Sequence, residues 1–569
     1  MSTGEEDLAK DLGPLAALTI GVGTMIGAGI FVLPGEAVLR SGSLAAVAFL
    51  LGGVIAMFTA LSASELGTAM PRSGGAYYYV NHALGPLFGS VAGWANWLGL
   101  AFASAFYMVG FGRYIARIFG LSGGFDLGVV TLPFVTVIAL VAAAFFVAVN
   151  YVGAKETGRL QNIIVIILVA ILAVFTLLGT LRADPANLPD ARSVTATLET
   201  TGLIFVSYLG FVQITSVAEE IKDPGRNLPR AVIGSVVLVT VIYALVLVVM
   251  SAAVPDGFIA NVVQTGENPI AVVEVAEYLQ GAVMGGALLF GGLLATASSA
   301  NASILASSRI NFAMGRDRIV TPDLNEIHPR FGTPYRAIAI TGGLILLFIL
   351  VGELTLLSGA ASGLHLIIYG LLNIALVVMR YVDPEEYAPD FRVPLYPLLP
   401  ILGVVFSFAL LVFVERNALV LSFGVAAAAV VWYLVYARSR TDKQGILGEY
   451  ILSRSDEMPE PAVSAASAVQ PDGGEYRVMV PLANPRHENA LVTLASAIAK
   501  QRGGTVVATH IVTVPDQMAL AGAAEHMDRI DETSKELLKN AEEHAAPFDV
   551  PVETHTVISH RSFEEVFDA

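Results

Sequence analysis

Four glycines lie close together near the start of the chain, in the stretch GVGTMIGAGIF at residues 21–31. Glycine inside a helix costs about 1 kcal/mol relative to alanine, so Gly21, Gly23, Gly27 and Gly29 predict a backbone that leaves the helix. Unwound backbone presents N–H groups that suit a carboxylate, and carbonyl groups that suit an ammonium group or a metal cation. One unwound segment therefore offers a site for both ends of a zwitterion.

Two other readings of these glycines are available. The spacing Gly21-x-Gly23-x-x-x-Gly27 is one residue too long for a dinucleotide-binding fingerprint, and it follows no strand. Gly23-x-x-x-Gly27 also fits the motif by which membrane helices pack closely, and this alternative stays open. A second interruption, expected at Gly210 beside Tyr208, favours a binding site because paired broken helices mark transporter midplanes.

The composition is that of a membrane protein. The chain has 569 residues, 55% of them hydrophobic, and its mean hydropathy of +0.69 is too apolar for an ordinary soluble domain. Apolar stretches of about 20 residues, the length that crosses ~30 Å of hydrocarbon, recur as far as residue 437. They predict an all-α polytopic membrane protein with twelve spans, at residues 12–38, 42–70, 85–112, 128–149, 160–181, 201–220, 230–253, 277–310, 336–352, 357–379, 396–414 and 417–437.

The charges predict an orientation and exclude one class of partner. With the N-terminus in the cytoplasm, the inward segments hold fourteen arginines and lysines and the outward segments six, so both termini are expected in the cytoplasm. The region after residue 441 holds 21 acidic and 10 basic residues, which supply −11 of the net charge of −16 and exclude nucleic-acid binding. The acidic composition, with 7 lysines against 25 arginines, indicates a halophilic source.

Several motifs follow one another along these spans: IGAGIF at 26–31, PRSGGAY at 71–77, EEIKDPGRNLPR at 219–230 and SANASILASSR at 299–309. Together they resemble the amino acid-polyamine-organocation (APC) superfamily over residues 10 to 437. The resemblance implies a secondary amino acid transporter with spans 1–5 and 6–10 as inverted repeats, followed by two further helices. Because five is odd, the two halves have opposite orientations in the membrane.

The same resemblance implies a substrate site of two groups of residues. The substrate carboxylate is expected at Ile26, Gly27, Ala28 and Gly29, and the amine and side-chain end at Phe205, Tyr208 and Gly210. No lysine or arginine lies in the middle of spans 1, 3, 6 or 8, and the middle of span 3 has no carboxylate, so neutral substrates are expected. Transport of polyamines or organic cations, and a sensor that binds an amino acid without moving it, are the alternatives. No enzymatic activity is expected, and a homo-oligomeric state is left open.

A sodium ion is the expected coupling ion. Some relatives implied by the resemblance carry a lysine in the fifth span, but Leu168 stands at that position here. Oxygen ligands for a cation are available from carbonyl groups near Gly21 and Thr24 and from hydroxyls at Thr296, Ser298 and Ser299. These hydroxyls could instead bond to their own helices, and proton coupling or exchange is the alternative. Since no Gly-x-x-x-x-Gly-Lys motif is present, ATP does not drive transport.

Two ionisable residues lie within predicted spans. Glu65 is near the inner end of span 2, where it is either a functional carboxylate or an interface residue satisfied by nearby polar groups; the second alternative is favoured, with Arg72, seven positions away, as the expected neighbour. His365 is the one histidine well inside a span, where it serves either as a proton relay or as a hydrogen-bonded structural residue.

The C-terminal region predicts a separate domain, with residues 1–440 as the transporter, 441–474 as a linker and 475–569 as an α/β unit. Strands are predicted at 476–482, 505–514 and 552–559 and helices at 487–502 and 523–544, an alternation typical of a parallel doubly wound sheet. The segment VPLANP at 480–485 resembles the universal stress protein family. Ala483 replaces that family's aspartate and no glycine-rich phosphate loop follows, so nucleotide binding is doubtful and a fragment of a longer domain is expected.

Overall fold

The structure is a computed structural model that describes residues 12–72, 74–126, 128, 131–153, 158–266, 269–441, 443–471, 477–482, 485–502, 504–513, 537–548 and 550–559. The chain divides into two compact units, Met1–Pro471 and Asp472–Ala569. Within the described residues, the first unit is helical apart from one short antiparallel hairpin and an isolated bridge, and the second unit combines helices with a sheet.

Ten helical segments of the described residues are long and apolar enough to cross a membrane. They correspond to predicted spans 1–8, 10 and 12, whereas spans 9 and 11 correspond to helices of 17 and 14 residues, so twelve crossings remain a prediction. In chain order the helices are Pro14–Met25 and Ala28–Val32 (span 1), Pro34–Ser41, Gly42–Leu44 and Ala45–Ala69 (span 2), Pro86–Phe119 (span 3), Phe134–Val152 (span 4), Gly158–Thr180 (span 5), Val194–Ile204, Phe205–Tyr208, Gly210–Gln213 and Ile214–Glu220 (span 6), Pro224–Ala252 (span 7), Ala282–Arg316 (span 8), Tyr335–Val351 (span 9), Leu354–Val382 (span 10), Leu398–Leu411 (span 11), and Arg416–Trp432 with the π turn Tyr433–Ala437 (span 12).

Shorter elements connect these spans. The hairpin pairs Gly124–Asp126 with Thr131–Pro133 between spans 3 and 4. The connecting helices are Gly75–Leu84, Pro185–Asn187, Phe258–Thr265, Ala271–Gln280, Pro322–Asn325, Ile446–Ser453 and Glu460–Val469. The last two occupy the segment predicted as a linker, and Tyr433 Oη donates to the Val469 carbonyl at 2.7 Å.

The arrangement of burial separates a central group of spans from a peripheral one. Spans 1, 3, 6 and 10 are mostly buried, whereas spans 4, 5 and 12 leave most of their surface exposed. The exposed side chains of the peripheral spans include Phe145, Ile163 and Val420. Continuous exposed apolar surface of this kind suits contact with lipid.

Glu65 lies in the best-connected buried polar cluster of the described first unit. Its carboxylate is fully buried and accepts two bonds of 2.5 Å from the Arg380 guanidinium, one of 2.9 Å from Tyr387 Oη and one of 2.6 Å from the Val393 N–H. Burial, reinforced by the adjacent carboxylate, raises the pKa of Tyr387, so its phenol stays protonated and donates. The expectation that Arg72 is the neighbour of Glu65 is wrong, because the partner comes from the end of span 10.

The second unit contains a three-stranded parallel sheet. The strands Arg477–Leu482, Thr505–Thr513 and Val552–Ser559 lie side by side in chain order, and helix Pro485–Arg502 connects the first two. A doubly wound sheet needs a reversal of strand order, which these three strands do not contain, so that part of the prediction is untested. Ala483 and residues 523–536 of the second predicted helix lie outside the described residues, whereas 537–545 are helical.

We expect Glu65→Ala to lower the free energy of unfolding by about 3 kcal/mol, because it leaves the Arg380 guanidinium without its buried counter-ion. Thermal unfolding of the purified protein in detergent measures this loss. Glu36→Ala is the matched control, since Glu36 pairs with Arg40 one turn away at a partly exposed position, where such a pair contributes about 0.3–0.5 kcal/mol. Equal losses in the two variants would contradict the assigned role of Glu65.

Candidate functional site

Span 1 is interrupted where the glycine-rich motif predicts it. The first helix ends at Met25, and the Ile26 N–H still bonds to the Val22 carbonyl at 2.8 Å. Gly27 then leaves the helical region with ψ −139°, and a second helix begins at Ala28. An interruption of this kind leaves carbonyl groups of the first helix and N–H groups of the second without partners in their own helix.

Side chains from two other spans bond to carbonyl groups that precede the interruption. Tyr243 Oη of span 7 donates to the Met25 carbonyl at 2.5 Å, and Ser299 Oγ of span 8 donates to the Gly23 carbonyl at 3.2 Å. Sequence reasoning missed Tyr243. Its only signal is a phenol in the middle of an aliphatic span, which does not identify the group that it contacts.

Span 6 departs from α-helical geometry close to its predicted interruption. A 3₁₀ segment, Phe205–Tyr208, follows the first helix, and a short α-helical piece begins at Gly210. The departure therefore begins five residues before the predicted position. Tyr208 is fully buried, and its Oη donates to the Phe49 carbonyl of span 2 at 2.7 Å, so this hydroxyl is already engaged.

The interrupted segments pack so closely that three glycines have no space for a side chain. A Cβ atom added at Gly27 would lie 2.3 Å from Ser299 Oγ, one at Gly29 would lie 2.3 Å from Ser207 Oγ, and one at Gly210 would lie 2.1 Å from Thr24 Oγ1. Contacts this short are impossible for real atoms. The glycines thus allow close helix packing, the alternative left open by the sequence, at the same place where the backbone of span 1 leaves the helix.

Two further features describe this junction between spans 1 and 6. Ser207 Oγ is buried there without a hydrogen-bond partner among the described residues. Such an atom costs about 1–3 kcal/mol, so it marks a position where a polar group of a ligand would be favourable. Ile26, Gly29 and Phe205 are buried at the same junction, and the side-chain environment of Ala28 lies outside the described set.

The predicted cation ligands come together only in part. Thr24 and Thr296 each donate to carbonyl groups of their own helices, at 2.8 Å for the shorter bond in both cases. Ser299 alone of the predicted hydroxyls has a described bond to span 1. Ser298 is buried, and Gly21 packs against spans 6 and 7. Among the described contacts of the predicted cation ligands, the Ser299 hydroxyl and the Gly23 carbonyl are thus a pair from different spans at bonding distance.

A cavity of about 300 Å³ lies between spans 3, 6, 8 and 10. It begins at the face of the unit where Leu12 pairs with Ile221, which we call the N-terminal face. The charged residues that line it are Glu220, Arg309 and Arg316, and both arginines are exposed, which marks this end as the entrance. Its inner end is apolar apart from a few groups that include Asn96 and His365.

The predicted substrate residues do not line this cavity. They lie in the packed junction, while Leu209 and Tyr369 line the cavity and are joined by a bond of 3.3 Å from Tyr369 Oη to the Leu209 carbonyl. The Tyr369 ring contacts Phe205 at a centroid distance of 5.9 Å. Leu209 and Tyr369 thus stand between the cavity and the junction.

Comparison with known proteins shows what the chain is similar to. The family model described as amino acid permease matches residues 12–436. The serine/threonine exchanger SteT of Bacillus subtilis is 30% identical over 425 residues, which are 72% of this chain and 92% of the exchanger. The branched-chain amino acid permease BcaP of the same organism is 27% identical over 77% of this chain and 96% of its own length. The methylthioribose transporter of that organism is 28% identical over 70% of this chain and 87% of its own length.

We expect Gly27→Ala to lower the free energy of unfolding by about 1–3 kcal/mol, because the added methyl group overlaps Ser299. Thermal unfolding in detergent measures the change. Gly286→Ala is the matched control, since Gly286 lies in span 8 with open space around it, and alanine there is neutral or slightly stabilising.

A second substitution separates this clash from a general intolerance of the position. Ser299→Gly, introduced into the Gly27→Ala protein, removes both Ser299 atoms that the methyl group would meet, so part of the lost stability returns. Equal stability of the single and double variants would show that the contact with Ser299 is not the reason why position 27 requires glycine.

Proposed function

The chain belongs to the amino acid permease family of the APC superfamily, and we propose that it is a secondary active transporter that moves neutral amino acids across the cytoplasmic membrane by alternating access. The observation that carries this proposal is the junction between the interrupted spans 1 and 6, which Leu209 and Tyr369 separate from a cavity. In the proposed architecture, spans 1–5 and 6–10 are inverted repeats, and both termini are cytoplasmic.

The junction offers the chemistry that an amino acid needs. The second helix of span 1 begins at Ala28, and N–H groups at a helix start attract a carboxylate. The hydroxyl of Ser207 is buried without a partner among the described residues, and the Met25 and Gly23 carbonyl groups each keep a second lone pair beside the bond from Tyr243 or Ser299, so these oxygens can accept from an ammonium group. Of the residues predicted at the amine and side-chain end, Phe205 then adjoins the substrate, whereas Gly210 packs against Thr24 and the Tyr208 hydroxyl donates to the Phe49 carbonyl.

The distribution of charge supports neutral substrates. The ionic side chains that line the cavity stand at its entrance, and the inner end has neutral polar groups and apolar side chains. A substrate with an ionic side chain would lose its hydration there without gaining a counter-ion, at a cost of several kcal/mol. Two of the similar proteins are described as a serine/threonine exchanger and a branched-chain amino acid permease, and these amino acids are neutral.

The second unit is proposed to be a cytoplasmic regulatory domain related to the universal stress protein family. Its support is the parallel sheet with an intervening helix, and the family model that matches the chain ends before it.

We expect proteoliposomes that contain the purified protein to take up more radiolabelled alanine, serine or leucine than liposomes without protein. Unlabelled arginine and glutamate are expected to inhibit this uptake less than unlabelled neutral amino acids do. Net uptake or exchange into a sealed compartment is the measurement. Specific binding without any movement of substrate would favour the sensor alternative, and dominant competition by arginine or by a polyamine would favour cation transport.

We further propose that sodium drives this transport through a site beside the junction. Ser299 Oγ and the Gly23 carbonyl already lie at bonding distance, and hydroxyl and carbonyl oxygens suit this hard cation. Leu168 of span 5 is buried beside Gly291 of span 8, so its side chain supplies no positive charge there.

We expect sodium to stimulate amino acid binding, and Ser299→Ala to remove most of that stimulation because the variant lacks one oxygen ligand. Binding in sodium and in choline chloride gives the comparison. Ser308→Ala is the matched control, since Ser308 bonds only to carbonyl groups of its own helix among the described residues. Transport that is indifferent to sodium but depends on a pH gradient would contradict the sodium site.

A further inference from the structure

His365 of span 10 has one edge of its ring held against the protein. The residue is 3% exposed, and its Nδ1 lies 2.9 Å from the Ala361 carbonyl one turn earlier. The same edge lies on the backbone of span 3, where a Cβ atom added at Gly99 would lie 2.7 Å from Cε1 and 2.8 Å from Nδ1. Gly99 therefore allows the ring to approach span 3, and the Nδ1 edge is unavailable to a ligand.

The contact with Ala361 determines the role of each ring nitrogen. A carbonyl oxygen only accepts hydrogen bonds, so Nδ1 must carry a proton and donate. No carboxylate of the described residues forms an ion pair with the ring, and an unpaired buried imidazolium would be costly. The neutral ring therefore has a lone pair on Nε2, which is a hydrogen-bond acceptor.

Nε2 is positioned for a ligand. It has no hydrogen-bond partner among the described residues, and it is not one of their polar atoms that are fully shielded from solvent without a partner. His365 is also a lining residue of the cavity. The surrounding wall includes Leu100 and Ile368, which are apolar, and Asn96 one turn from Gly99. A small side chain that carries both a hydroxyl and a methyl group matches this wall.

We propose that the inner end of the cavity is a side-chain subsite in which His365 Nε2 accepts a hydrogen bond from a substrate hydroxyl. The subsite selects hydroxyl-bearing neutral amino acids over apolar ones of equal size. It rests on the proposed transport of neutral amino acids and adds the residue that distinguishes among them. His365 is thus a specificity-determining residue.

Threonine and valine test the proposal because they have nearly the same shape and differ in a hydroxyl against a methyl group. One neutral hydrogen bond corresponds to about a three- to tenfold preference for threonine, measured as the ratio of inhibition constants against labelled alanine. Serine against alanine is the second matched pair. Alanine binding itself shows that each variant is folded.

Two substitutions separate recognition from structure. His365→Gln places an amide oxygen near the position of Nε2, whereas His365→Asn keeps a donor near Nδ1 and has no group at Nε2. We expect the glutamine variant to keep most of the threonine preference and the asparagine variant to lose it. If His365 is only structural, the asparagine variant, which keeps the donor near Nδ1, binds alanine better than the glutamine variant. The threonine-to-valine ratio is then unchanged in both variants.

The outcomes distinguish this proposal from the one on which it rests. If the wild-type protein binds no amino acid, the proposed function fails. If it binds alanine but treats threonine and valine alike, or if His365→Asn keeps the threonine preference, the subsite is overturned and the transporter assignment stands.

Discussion

Backbone groups in a membrane need partners inside the protein, and the interruption of span 1 makes this requirement acute. No water is available in the hydrocarbon layer to bond an exposed carbonyl or N–H group. Tyr243 and Ser299 meet part of the need from spans 7 and 8, and Ser362 of span 10 accepts from the Val206 N–H in the irregular part of span 6. Three spans are therefore committed to supporting two short irregular segments.

A buried charge in the first unit, like the unpaired backbone groups, has its partners inside the protein. The buried carboxylate of Glu65 is tolerated because four donors surround it, two of them on one guanidinium whose face lies 4.5 Å from the Tyr396 ring centroid. This cluster joins span 2 to the end of span 10 and to the segment that follows it. By contrast, the inner end of the cavity has no such cluster among its lining residues. The buried ionic group is thus placed where the structure compensates it, and the inner end of the cavity is left neutral.

The sequence predicted local features well and partners poorly. Hydropathy located ten of the twelve predicted spans among the described residues, and glycine spacing located the interruption at Gly27, because both are properties of a short segment. The partner of Glu65 could not be predicted, since Arg380 is 315 positions away and only tertiary folding brings it near. Gly210 was assigned to an interruption, yet its missing side chain is required by Thr24 of span 1. A glycine indicates either that a neighbouring side chain needs the space or that the backbone needs conformational freedom, but the sequence does not say which.

The separation of the cavity from the junction constrains how a substrate moves. An amino acid that enters from the N-terminal face meets Leu209 and Tyr369 before it meets the interrupted backbone. The bond that joins these two residues is long, at 3.3 Å, and links neutral groups, so its loss costs about 1 kcal/mol. In the proposed transport cycle, a carboxylate bonded by backbone N–H groups and a donor to the Ser207 hydroxyl would compensate for the loss of this hydrogen bond. The packing of the Tyr369 ring against Phe205 and Phe211 is a second contact that this movement must rearrange.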